Sequence, residues 1–115
     1  MNTIRWTNGA VKKTWLKSPF VQDRLKRALD AVSAVTYVRP RDIMGKRRMA
    51  EVCTARFMVF RILRSEGLIY ADIGTLMDRD HSTIIVGIKK LEADACVDFK
   101  IASGMIKAEA LFNES

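Results

Sequence analysis

The sequence has few of the residues that build metal centres or disulfides, and it has no long apolar run. Its 115 residues include one histidine, two cysteines and two prolines. Cys53 and Cys96 lie inside helical patterns without metal-ligand spacing, so we expect no metal and two buried free thiols. No apolar run approaches the roughly 20 residues of a membrane span, and no signal-peptide core follows the basic N-terminus. We therefore expect a cytoplasmic protein without a membrane partner.

A catalytic constellation is also missing. One histidine and scattered carboxylates define no acid–base pair, and neither cysteine has an evident base partner. Gly45-Lys46 could suggest a phosphate-binding loop, but the required Gly-x-x-x-x-Gly-Lys-[Ser/Thr] pattern is not there. The prediction is a protein that is not an enzyme and needs no cofactor.

Positive charge is abundant and unevenly placed. The net charge is +7, and residues 1–20 contain four cations and no acid. Residues 39–64 contain eight cations and two acids, whereas the chain after Arg64 contains five cations and nine acids. This asymmetry favours a surface that meets a polyanion such as nucleic acid. A solvated basic face without a partner is the alternative.

The hydrophobic pattern has the period of helices throughout, and strand patterns are absent. An amphipathic helix is predicted from Phe20 to about Val35, and a central helix, apolar on most of its circumference, from Met49 to about Ser65. Two turns of helix at 70–77 precede a helix that starts near His81 or Ser82, which is the layout of a helix-turn-helix. The expected fold is an all-α bundle with this motif embedded in it.

Three parts of the chain are predicted. Residues 1–20 form a basic N-terminal arm, anchored on the body by Trp6, Trp15 and Phe20. Residues 21–97 form the helix-turn-helix domain, the candidate for binding nucleic acid. Residues 98–115 contain a C-terminal helix that packs on the domain or extends it.

Two segments are candidates for contact with DNA. The start of the second motif helix presents Asp80, His81, Ser82 and Thr83, short polar side chains that suit base edges in the major groove. Alternatively, Asp80 or Ser82 is simply the helix N-cap and Thr83 a first-turn residue. The loop of Lys46, Arg47 and Arg48 can clamp phosphates or enter a minor groove, or it is only a solvated charge run.

These segments resemble a known family when they are taken together and in order. The matching positions are Val38-x-Pro40-x-Asp42-Ile43-x-Gly45-Lys46-Arg47-Arg48, Asp72-Ile73-Gly74, Arg79-Asp80-His81-Ser82-Thr83-Ile84-Ile85 and Lys89-Lys90-Leu91-Glu92. They resemble the C-terminal DNA-binding domain, domain IV, of the bacterial replication initiator DnaA, over roughly residues 21–94. The resemblance implies a helical fold similar to that of the Trp repressor.

The resemblance also implies roles for individual residues and a double-stranded DNA target bound by a monomer. Asp80, His81 and Thr83, with Ser82 beside them, match the major-groove contacts, and Arg48 matches the minor-groove arginine. The positions that resemble backbone contacts are Lys46, Arg47, Arg56, Arg64, Tyr70, Ala71 and Arg79. Asp78 departs from the family, in which small residues precede Arg-Asp-His, so an altered recognition sequence is expected.

Three functions remain open at this point. The family's ATPase is missing from the sequence, which favours a sequence-specific transcription regulator, encoded by a phage or mobile element and associated with the nucleoid. The second is a replication-control protein that occupies initiator boxes at an origin. The third is a protein-interaction module with a vestigial DNA surface, which binds a protein partner through the C-terminal helix.

Overall fold

The computed structural model describes residues 15–114, in which six helices follow two helical residues at 15–16. They are α1 (Pro19–Thr36), α2 (Pro40–Met44), α3 (Ala50–Ser65), α4 (Tyr70–Met77), α5 (His81–Val97) and α6 (Phe99–Glu114). No strand occurs among these residues. The expected all-α fold with an embedded helix-turn-helix is confirmed.

Local interactions define both ends of helix α1. The Ser18 side chain accepts a hydrogen bond from Val21 N (3.4 Å), and Pro19 occupies the first turn, where its missing N–H costs nothing. Val21, Leu25, Ala28 and Val32 form its buried stripe. The helix ends at Tyr37, a non-glycine residue in the left-handed conformation with φ of 63°.

Helix α3 is the centre of the bundle and contacts every other helix. Its fully buried residues include Val59, Phe60 and Leu63. Helix α5 crosses α3 closely at Gly87, where an added Cβ would lie 2.6 Å from the Phe57 ring. Burying large aliphatic and aromatic side chains contributes about 1.5–3 kcal/mol each, so this helix dominates the stability of the fold.

The C-terminal helix α6 packs against α1 and α5. Its buried stripe consists of Met105, Ala108 and Phe112. An ion-pair cluster adds to this packing, because Arg61 Nη1 on α3 lies 2.6 Å from Glu92 Oε2 on α5, and its Nε lies 3.8 Å from Glu109 Oε2 on α6. The three side chains are about one third exposed or more. The cluster therefore helps to orient α6 but adds little to the stability of the fold.

Some expectations about individual side chains were wrong. Phe20 is 60% exposed, with the Arg24 guanidinium 4.5 Å from its ring centre, and does not anchor the arm. Trp15 does pack against the core, whereas Trp6 lies outside the described residues. Cys53 on α3 is only half-buried. Cys96 is exposed, because the last turn of α5 extends beyond the apolar stripe that ends at Leu91.

Candidate nucleic-acid interface

Helices α4 and α5 form a tight helix-turn-helix that depends on one glycine. Asp78 ends α4 in the left-handed conformation, with φ of 57°. Its N–H bonds to Gly74 O, and Arg79 N donates to the same oxygen at 2.8 Å. A Cβ added at Gly74 would lie 2.5 Å from Arg79 O, which is inside contact distance. The turn can therefore fold back over α4 only because residue 74 has no side chain.

The start of α5 exposes the four predicted base-contacting residues together. Asp80, His81, Ser82 and Thr83 are all exposed, while Ile84 behind them is buried. Asp80 occupies the N-cap position, but its carboxylate accepts a hydrogen bond from the Ser82 hydroxyl instead of capping the backbone. That hydrogen bond is the main reason why the pKa of Asp80 lies below its ordinary value. This base-reading segment thus presents an ionised acceptor beside hydroxyl and imidazole groups.

The basic loop, Lys46–Arg48, lies between α2 and α3 and is exposed. Arg47 Nε lies 3.7 Å from Asp42 Oδ1, and Lys46 approaches Asp78. Among residues 15–114, Arg48 has no carboxylate within 4.0 Å. The predicted minor-groove arginine is therefore the loop cation whose charge is least compensated within the described protein.

Arg56 lies beneath the basic loop and does not have the predicted position of a phosphate contact. It is 6% exposed, and its guanidinium donates to three backbone oxygens: Ile43 O (2.8 Å), Arg47 O (3.0 Å) and Asp42 O (3.1 Å). A phosphate would have to displace these bonds. Arg56 instead holds the end of α2 and the start of the loop on α3.

Arg79, which the sequence predicts as a DNA backbone contact, is half-buried and bonds inward. Its guanidinium donates to Gly45 O, to Met77 O at 2.8 Å and to Asp78 O at 3.3 Å. Burial, and then the nearby charge of Arg56, lower the pKa of Arg79 from its ordinary value. Its contacts join the helix-turn-helix to the basic loop across 34 positions of sequence.

Lys46 makes a second link between the loop and the turn. Its Nζ lies 3.1 Å from Asp78 O and 3.5 Å from Asp78 Oδ2. The Asp78 side chain is 95% exposed, so this pair is weak and easily exchanged for water or another anion. The extra acid in the turn thus stands beside a lysine that partly offsets its charge.

The remaining predicted backbone contacts lie around the start of α4. Ala71 is exposed in the first turn, where helix N–H groups have no intrahelical acceptor. The Arg64 guanidinium lies 4.6 Å from the Tyr70 ring centre and donates to Leu68 O at 3.1 Å. A cation stacked in this way keeps an outward face for a phosphate.

Sequence patterns missed Thr75, which shares a shallow concave surface with Ala71, Asp78 and His81. It is exposed, and its hydroxyl donates to Ala71 O at 3.1 Å. Its spacing of four residues from Ala71 on a helix was the available signal, because such residues share one face.

Comparison with known proteins agrees with this geometry. The family model described as bacterial dnaA protein helix-turn-helix matches residues 25–91, more than half of the chain. Two proteins named chromosomal replication initiator protein DnaA, from Acholeplasma laidlawii and from its strain PG-8A, are each 30% identical over 101 residues. The match covers 85% of this chain but only 23% and 22% of theirs. No solved structure matches the chain.

Among residues 15–114, no helix is long and apolar enough to cross a membrane. The same residues contain no group of three or more histidine, cysteine, aspartate or glutamate side chains suited to a metal ion.

Proposed function

The chain belongs to the family of the bacterial DnaA helix-turn-helix, a DNA-binding module, and we propose that it binds double-stranded DNA sequence-specifically as a replication-control protein. The supporting observation is that the basic loop and the base-reading segment lie side by side. Arg79 donates to Gly45 O, immediately before the basic loop, and Lys46 donates to Asp78 O, so the loop lies beside the turn that precedes the base-reading segment. A protein so built presents a helix start to the major groove and an arginine beside it, in one rigid unit.

The proposed contacts fall into two classes. Base contacts are Asp80, His81, Ser82 and Thr83 in the major groove and Arg48 in the minor groove, because these side chains are exposed. Backbone contacts are Lys46, Arg47, Arg64, Tyr70, Ala71 and Thr75, grouped around the loop and the first turns of α4. Arg56 and Arg79 support these contacts from beneath. The protein binds as a monomer and associates with the nucleoid.

Replication control is preferred because the two relatives are replication initiators. Occupation of their boxes by this chain would compete with an initiator for the same DNA. A transcription regulator is the second candidate, and Asp78 is the observation that favours it. An exposed carboxylate 3.5 Å from Lys46 alters the charge at the turn, which would shift the preferred box away from that of an initiator.

Selection of binding sites from random double-stranded DNA tests the proposal. We expect one short asymmetric consensus, bound with a steep dependence on salt. Competition on an origin fragment then separates the two candidates, because replication control requires displacement of the initiator and a dedicated regulator does not. Affinity that is independent of sequence would contradict both.

The double variant Arg48→Ala/Thr83→Ala tests whether the DNA surface is used at all. It should lose the selected consensus, whereas Lys26→Ala, a cation removed from the exposed face of α1, should keep it. Unchanged DNA affinity in the double variant would instead favour the protein-interaction module with a vestigial DNA surface.

A further inference from the structure

A groove separates the C-terminal end of α1 from the outer face of α6, and it shares no residue with the proposed DNA interface. Its volume is about 700 Å³. Small residues line it, among them Ala34 and Gly104, and so do the aromatic residues Tyr37 and Phe99. These rings are 90% and 84% exposed, an unusual amount of bare aromatic surface for two neighbouring residues.

Tyr37 has no structural reason to be a tyrosine. It ends α1 in the left-handed conformation, which glycine adopts without strain and a bulky residue does not. Its ring packs against almost nothing in the described protein. A strained backbone that carries an exposed ring points to a contact outside the molecule.

The charge of the lining side chains indicates which kind of partner the groove can bind. Lys100 and Lys107 line it, and no acidic residue does. Neither lysine has a carboxylate within 4.0 Å of its ammonium nitrogen among residues 15–114. The acids of the same region make other contacts: Asp98 accepts from the backbone N of Lys100 at the start of α6, Glu109 approaches Arg61, and Asp94 approaches Lys90. The C-terminal region is acidic as a sequence, yet the face that it presents here is basic.

We propose that this groove binds an amphipathic acidic helix of a partner protein. The small lining residues allow the partner helix to approach closely, and the rings of Tyr37 and Phe99 contact its apolar side chains. The two lysines pair with glutamates or aspartates on either side of that apolar face. A second copy of the chain fits poorly, because a symmetric contact would bring the lysines of both copies together. DNA fits poorly as well, because the walls are aromatic and apolar.

The test is a selection on the full chain from a displayed library of amphipathic helices about 15 residues long, roughly four turns. The apolar positions carry Leu, Phe or Trp, and the polar positions carry Glu, Lys or Gln. We expect Glu to be enriched over Lys at the polar positions by about tenfold or more. A pool without enrichment, or one as rich in Lys as in Glu, would overturn the proposal.

Variants then locate the binding of the best selected peptide by fluorescence anisotropy. Tyr37→Gly and Lys100→Gln/Lys107→Gln should each weaken it about tenfold or more, while Ile106→Ala and Lys26→Gln, exposed positions outside the groove, should not. Tyr37→Gly should also raise the melting temperature, because it removes backbone strain, so a loss of binding cannot be ascribed to unfolding.

Three results would contradict the proposal that the groove binds an acidic helix of a partner. They are peptide binding that Tyr37→Gly leaves unchanged, peptide binding that Lys46→Ala abolishes, and a dimer in sedimentation that Tyr37→Gly dissociates. The last would make a second copy the occupant. DNA affinity should be the same with and without Tyr37→Gly, so this test succeeds or fails independently of the proposed DNA binding.

Discussion

Arg56 and Arg48 lie eight positions apart in the same basic stretch, yet they occupy different layers of the interface. In the buried layer, Arg56 and the half-buried Arg79 donate to backbone carbonyls of α2, the loop and the turn. In the exposed layer, Arg48 and the base-reading segment face solvent. Arginines of the same basic stretch thus either hold the fold together or remain available for an outside partner, and burial decides between the two. A count of cations in a sequence overestimates the phosphate contacts that they can make.

The largest effect is expected from removing a member of the buried layer. Arg56→Ala leaves three backbone oxygens without their donor, and it should lower the free energy of unfolding by about 3 kcal/mol. Chemical denaturation measures this. Arg41→Ala, an exposed arginine on the neighbouring helix α2, is the control and should change stability by less than about 0.5 kcal/mol. Equal effects in the two variants would remove the distinction between the layers.

The glycine that permits the turn should come next. Gly74→Ala places a Cβ against Arg79 O and should cost about 1–3 kcal/mol of stability. Gly104→Ala is the matched control, since its Cβ would meet only side-chain atoms at 3.4 and 3.5 Å. That change should be neutral or stabilising by up to about 1 kcal/mol, because alanine favours a helix more than glycine does. Thermal melts of both variants check the difference.

Thr83→Ala in the exposed layer should act on DNA and hardly on stability. Loss of one base contact should cost about 1–3 kcal/mol on the selected consensus and much less on unrelated DNA. Binding isotherms on matched and mismatched duplexes measure both. A similar loss on every sequence would place Thr83 among the backbone contacts instead.

Lys46→Ala should have a smaller and different effect. It should weaken binding to all sequences alike and reduce the slope of log affinity against log salt by about 1, because one fewer counterion is released. A salt titration on specific and random duplexes gives both quantities. A change in the preferred sequence would show that the Lys46–Asp78 pair takes part in base recognition.

The smallest expected effect is a change in one pKa. The Ser82 hydroxyl is the main cause of the lowered pKa of Asp80, so Ser82→Ala should raise that pKa toward the ordinary value. Because the pKa is lowered in the folded state, its contribution to stability is present above the unfolded pKa, near 4, and is lost as the pH falls through the folded pKa. An NMR titration of the Asp80 carboxyl carbon follows this. An identical pKa in Ser82→Ala would contradict the assignment of its cause.

Helix positions followed from the sequence closely, because burial on one face imposes a period of 3.6 residues. The helix predicted from Phe20 to about Val35 runs from Pro19 to Thr36. The predicted start of α5 near His81 was equally close, since Asp80 occupies the N-cap position. The main interaction of the cap residue was not predictable, because the Asp80 carboxylate accepts from the hydroxyl of Ser82 two residues later.

The helical periodicity already placed Arg56 on the buried side of α3, whereas its charge favoured a phosphate contact. Arg56 lies on the buried stripe of Val52, Val59 and Leu63, four residues after the first and three before the second. A cation on such a stripe is expected to bond inward. Its acceptors come from α2 and from the loop, segments whose approach to α3 depends on packing of the whole bundle.

The sequence by itself determined the helices, the family and the polar segment proposed to contact bases, because periodicity and short motifs are local properties of the chain. Only the tertiary structure decided which cations are exposed and which bond inward, how Lys46 offsets the charge of Asp78, and which lysines of α6 line the groove. The physical reason is that hydrogen bonds between residues far apart in sequence, such as that from Arg79 to Gly45, form only after the helices have packed.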